Sequence, residues 1–149
     1  MKRVLSAMAA VSIGLILAGC ASGPPRDDSG RVTESTTISA RDLMPGDCFS
    51  FNSADGSTVG EVTVVPCSDE HENIVLDEGV LSRGDISDAG SLQNAVNVAC
   101  ETAFTDFKTA GTFETRPEQT FMVFPLDDKD ADGDQVYTCV STDPARIDS

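Results

Sequence analysis

The sequence predicts an α+β fold, a small and mainly antiparallel sheet in the order β-β-β-α-β-β with one packed helix. Three observations carry this expectation. Short runs of β-forming residues, separated by turn residues, flank one long stretch of helical periodicity. Residues 41 to 145, about 105 in number, suit one small domain. Four cysteines within that region supply the staples that a limited core needs.

The elements follow in order. Met44-Pro45-Gly46-Asp47 places Gly after Pro, the signature of a type II turn. Cys48-Phe49-Ser50-Phe51 reads as a first strand, and Asn52 to Thr58 as a turn centred on Asp55-Gly56. Val59 to Pro66 reads as a second strand, with Val62, Val64 and Val65 as β-formers. Asn73 to Leu81 reads as a third, with Ile74, Leu76 and Val80 at alternate positions and Val75 and Leu81 breaking the pattern. Arg83-Gly84-Asp85 reads as a loop. It spells an adhesion tripeptide, a match too short to carry function.

From Asp88 to Lys108 the apolar residues fall at helical spacing. Ala89, Leu92, Ala95, Val96, Ala99, Cys100, Ala103, Phe104 and Phe107 share one side. Ser87 or Ser91 caps the start and Gly111 stands past the end. The Phe pair is expected in the core. Thr120 to Leu126 is apolar on both faces, which suggests a central strand ending near Pro125. Gln135 to Ser141 is the last strand, around Cys139.

Cys48, Cys67, Cys100 and Cys139 allow three disulfide connectivities. Cys48 and Cys67 sit at the outer ends of the first hairpin, so the favoured pairs are Cys48–Cys67 and Cys100–Cys139. The second ties the helix to the last strand. Structural zinc sites pair ligands two to four residues apart. Here 18, 32 and 38 residues separate successive cysteines, and neither zinc nor a redox-active Cys-x-x-Cys fits.

The start of the chain is a different kind of segment. Lys2 and Arg3 precede a short apolar run that closes on Leu17-Ala18-Gly19-Cys20. A basic start, an apolar run and a small-residue exit describe a secretory signal over residues 1–19. The run is short for a membrane span, which needs about 20 residues. The terminal Cys makes the stretch a lipobox, resembling those of bacterial lipoproteins. That resemblance implies a diacylglycerol on the Cys20 sulfur, cleavage before it and acylation of the new amino terminus (palmitate-type chains). Two or more acyl chains attach a protein stably. The mature protein is then expected on the extracytoplasmic face of the cell membrane, where disulfides persist. The same resemblance implies that Ala21 after the lipidated Cys favours the outer membrane in a cell with two.

Residues 21–40 hold one Val, one Ile and no aromatic residue, and are expected to form a disordered stalk. About 20 residues of flexible chain reach roughly 25 Å. Residues 146–149 read as a tail. The formal charge is −15. Without the signal, 25 acidic residues face 8 basic ones, a charge of −17. Such a surface repels nucleic acid and anionic lipid heads. No phosphate loop, Gly-x-Gly-x-x-Gly or Gly-x-Ser-x-Gly element occurs.

Several of these segments resemble one family. Leu43-Met44-Pro45-Gly46-Asp47-Cys48-Phe49 is similar to the opening of the bacterial septum-formation domain family. Val65-Pro66-Cys67-Ser68-Asp69-Glu70-His71-Glu72 is similar to its Cys-x-x-x-His element. Ala99-Cys100 and Gly133 to Val140 resemble its later Cys segments. The resemblance spans nearly all of residues 41–141. It implies a cell-envelope protein of actinobacteria-like organisms and carries no enzyme activity. The family tends to hold a Trp before the last Gly, and this chain has no Trp.

Two candidate sites remain. His71, the only histidine, lies among Asp69, Glu70 and Glu72. It is read as anchoring the turn after Cys67; the alternatives are a general base of a hydrolase or a pH sensor. Asp128, Asp130, Asp132 and Asp134 spell the start of an EF-hand-like loop. Position 12 of that loop is Cys139, so a complete EF-hand is excluded and a weak calcium site is the remaining form. The expectation is a membrane-anchored binding or scaffold lipoprotein of the cell envelope, linked to division or septum formation. It is expected to have no enzyme activity, no cofactor beyond weak calcium, an envelope protein as partner and no nucleic acid.

Overall fold

The computed structural model describes residues 23–52, 60–113, 115–125 and 133–142. Among the described residues, six strands form one antiparallel sheet: β1 (Thr36–Ser39), β2 (Cys48–Phe51), β3 (Glu61–Val65), β4 (Asn73–Leu81), β5 (Gln119–Pro125) and β6 (Gln135–Thr142). Their order across the sheet is β1-β3-β2-β4-β6-β5. Two helices, α1 (Arg83–Asp88) and α2 (Leu92–Ala110), lie between β4 and β5 in the chain. The fold is the expected α+β class, with disulfides Cys48–Cys67 and Cys100–Cys139.

Each face of the sheet has its own core. On one, Phe49, Val62, Val64, Val75 and Val140 pack with Met122 and Phe124. That face is covered by the segment before β2: Val32, Ala40 and Leu43 all belong to the cluster. On the other face, Leu81 and Cys139 pack beneath Ala95, Val96 and Cys100 of α2. The buried Cys100–Cys139 bond fixes the helix to β6. With sequence separations of 19 and 39, the two bonds contribute about 3 and about 4 kcal/mol in the loop-entropy account.

The expected stalk over residues 21–40 is corrected from Pro24 onward. Val32 and Ile38, its only large apolar residues, are both buried, and β1 pairs with β3 from Thr36↔Val64 to Ser39↔Glu61. A low average hydrophobicity conceals two well-placed anchors. The expected Arg83-Gly84-Asp85 loop is instead the first turn of α1. Ser82 caps it through a capping box: its hydroxyl accepts from the Asp85 N–H, and Asp85 accepts from the Ser82 N–H. The single helix expected from Asp88 is broken at Gly90, whose φ of +78° ends α1. Ser91, one of the two expected caps, starts α2.

Two further differences have local causes. β4 alternates only in part because its pairing with β6 shifts between Val75 and Asp77. The bulge puts Val75 on one face and Leu81 on the other, and leaves Val80 exposed. The strand expected to be central, β5, lies at the sheet edge and pairs only with β6 among the described residues. Both its faces are apolar because both are covered. Phe121 and Val123 pack in the helix-side cluster, while Arg41 lies over the Phe124 ring at 5.7 Å. Phe104 and Phe107, expected in the core, are half-buried; Phe107 meets Phe113 with centroids 5.1 Å apart. The Asp55-Gly56 turn and the tail lie outside the described residues.

Tyr137, the only tyrosine, sits opposite Gly79, and its ring occupies the space that a Cβ there would take. Burial, and secondarily the Asp77 carboxylate, raise the phenol above its ordinary 10.0. A raised pKa means that the folded state holds this proton more tightly. Stability should therefore be intact below pH 10 and fall as pH rises through the Tyr137 titration. Near-UV phenolate absorbance should show a single alkaline step above 10.0, and Gly79→Ala, by displacing the ring, should move it back toward 10.0.

Candidate functional site

The type II turn at Met44–Asp47 forms as expected and builds one end of the sheet. Pro45 presets its own φ, Gly46 takes φ +91°, and the Asp47 N–H donates to the Met44 carbonyl at 3.0 Å. Two more backbone bonds join the turn to β4: Gly46 N–H to Val75 O at 2.8 Å, and Val75 N–H to Asp47 O at 2.9 Å. Cys48 then enters β2 between Val65 and Ile74.

This turn carries the Asp47 side chain inward, where only 2% of it is exposed. An unpaired buried carboxylate is costly, and this one has three donors. Arg26 Nη1 donates to Oδ1 at 2.6 Å and Nη2 to Oδ2 at 2.8 Å, while the Met44 N–H reaches Oδ2 at 2.9 Å. The fork-to-fork geometry is the strong form of a guanidinium–carboxylate pair. Its hydrogen bonds to Asp47 raise the Arg26 pKa above the usual value, so the cation persists at any working pH.

Arg26 opens a small hairpin that returns at Val32. Asp27 holds its loop: one carboxylate oxygen accepts from the Ser29 N–H, the Ser29 hydroxyl and the Arg31 N–H. The Ser29 hydroxyl bond above all lowers the Asp27 pKa. Gly30 closes the loop at φ +84°. The hairpin forms one wall of a cleft of about 570 Å³. Its lining is mixed: the Cys48–Cys67 disulfide, Val65 and Ile74 supply apolar surface, and Asp27, Arg31, Asp47 and Ser68 supply polar groups. Such a cleft suits binding: it sets the Arg31 guanidinium beside apolar side chains in a concave site.

His71 lies in the turn that follows Cys67. Its Nδ1 meets the Asp69 carbonyl at 2.7 Å, so Nδ1 carries the proton and donates. The turn is closed by the Asp69 N–H to Pro66 O and by the Glu72 N–H to Phe49 O. In the Asp-rich segment, Asp134 accepts from the Arg83 N–H at 3.3 Å, and Gly133 lies against the Arg83 guanidinium. Asp128, Asp130 and Asp132 lie outside the described residues, as does Cys20. Among the described residues, no group of three or more His, Cys, Asp or Glu side chains is placed to hold a metal. No described helix is long and apolar enough to cross a membrane.

In comparison with known proteins, no family profile, curated protein or solved structure matches the chain. The Gly46-Asp47-Cys48 sequence has a physical reason for each residue: a left-handed turn position, a buried carboxylate and a staple. The Arg26 partner of Asp47 is what sequence reading missed. It stands 21 residues away in a polar segment, and the only local signal was an Asp between a turn glycine and a core cysteine.

Two outcomes are expected here. Arg26→Ala should lower stability in chemical denaturation by about 2–3 kcal/mol, because it leaves Asp47 buried and charged, and Arg26→Lys should recover only part of that. Under a mild thiol reductant, Cys48–Cys67 should open before Cys100–Cys139. Cys67 is exposed, whereas Cys100 and Cys139 are wholly buried, and alkylation followed by peptide mapping reads the order directly.

Proposed function

We propose that the chain is a lipid-anchored, extracytoplasmic binding or scaffold module of the bacterial cell envelope, of the septum-formation type, held to the membrane through Cys20. The observation that supports this most is the clasped cleft. A bidentate ion pair, a disulfide and a turn fix its walls, and its lining sets the Arg31 guanidinium among apolar and acidic side chains. Rigid walls reduce the ordering cost of association, which favours recognition. The two disulfides accord with an oxidising compartment. His71 is engaged with the turn backbone, which supports a structural role. The partner is an envelope component, and the strong negative charge argues against nucleic acid.

Metabolic labelling with an alkyne fatty acid tests the anchor. Wild-type protein should carry the label and sediment with washed membranes, and Cys20→Ser should lose the label and leave the membrane fraction. A labelled Cys20→Ser protein, or wild type that stays unlabelled in the soluble fraction, would overturn the reading.

A further inference from the structure

The clasp sets where the domain stands relative to its anchor. Pro24 is already buried, and the Pro25 carbonyl accepts the Thr33 N–H at 2.9 Å. Arg26 is fastened to Asp47 one residue later. Only the peptide units between Cys20 and Pro24 remain as tether. At about 3.3–3.6 Å per residue, four residues span at most about 14 Å in any conformation. A domain on so short a lead has one end held close to the lipid.

Which end is decided by the sheet. Arg26 is fastened beside Cys48, where β2 begins, β3 ends at Val65 and β4 begins at Asn73. β4 then runs nine residues to Leu81, a rise of about 26 Å, and α1 follows at that far end. From these positions we infer that the end bearing the clasp and the Cys67–His71 turn is the face apposed to lipid headgroups, with α1 presented outward. The charge of this end shapes the contact. Asp27, Asp28, Asp69, Glu70 and Glu72 face the bilayer with Arg31 beside them, while Arg26 is already paired. Like charge within a Debye length of about 8 Å keeps this end from sinking into anionic headgroups.

This inference rests on acylation of Cys20 and is tested on the full lipidated protein. A fluorescent non-natural amino acid replaces either Glu70 in the clasp-end turn or Ser87 in α1, both exposed. The protein is placed in phosphatidylcholine vesicles containing a headgroup-labelled quencher lipid. Quenching should be several-fold stronger at position 70 than at position 87. A Gly-Ser insert of about 20 residues between Ser22 and Gly23 lengthens the tether to roughly 25 Å or more and should remove most of that difference. Protein that does not remain with the vesicles refutes the anchor itself. Protein that remains, yet shows equal quenching at both positions or no change with the insert, refutes the orientation alone.

Discussion

A carboxylate with almost no access to water has to be matched, and the way Asp47 is matched organises this molecule. Its position is imposed by the Met44–Asp47 turn, and the turn is bonded through its backbone to β4. Its charge is answered by Arg26, from a segment otherwise too polar to hold itself to a protein surface. The ion pair therefore converts a length of weakly hydrophobic chain into part of the fold. Val32, Ile38 and Ala40 can then complete a core that β2 and β3 alone would leave open.

The two disulfides divide the remaining work by face. Cys48–Cys67 closes the end of the sheet where the clasp sits, and one of its sulfurs reaches the surface. Cys100–Cys139 lies wholly within the helix-side cluster, a small core of Leu81, Ala95 and Val96. A helix of 19 residues that buries only Ala95, Val96 and Cys100 has little apolar area with which to hold its sheet. The covalent link at Cys100 compensates for that shortage.

What was legible in the sequence was local. The Pro45-Gly46 turn, the β2–β3 pairing, the helix of α2 and both disulfides announce themselves through dihedral preference, periodicity or spacing over a few residues. What escaped was non-local or depended on averaging. The Arg26–Asp47 pair spans 21 residues and involves the commonest kinds of surface charge. β1 hid in a segment whose mean composition is that of a linker, although Ile38 alone was enough to seat it. β5 looked central because both faces are apolar, yet covering by α2 on one side and the Ala40–Asp42 turn on the other produces the same pattern at an edge. The cleft was legible in half, through its cysteines and turn, while its hairpin wall was not.

The edge position of β5 has a consequence for life at high local density. Thr120 to Phe124 is an uncharged run of strong β-formers, and among the described residues its outer backbone groups have no neighbouring strand. Runs of this kind template cross-β growth when copies meet. The proposed anchor, by confining copies to two dimensions, would raise the frequency of such meetings. Pro125, which removes a backbone donor at the end of the run, and the net negative charge of every copy are therefore gatekeepers of solubility as well as features of the native fold.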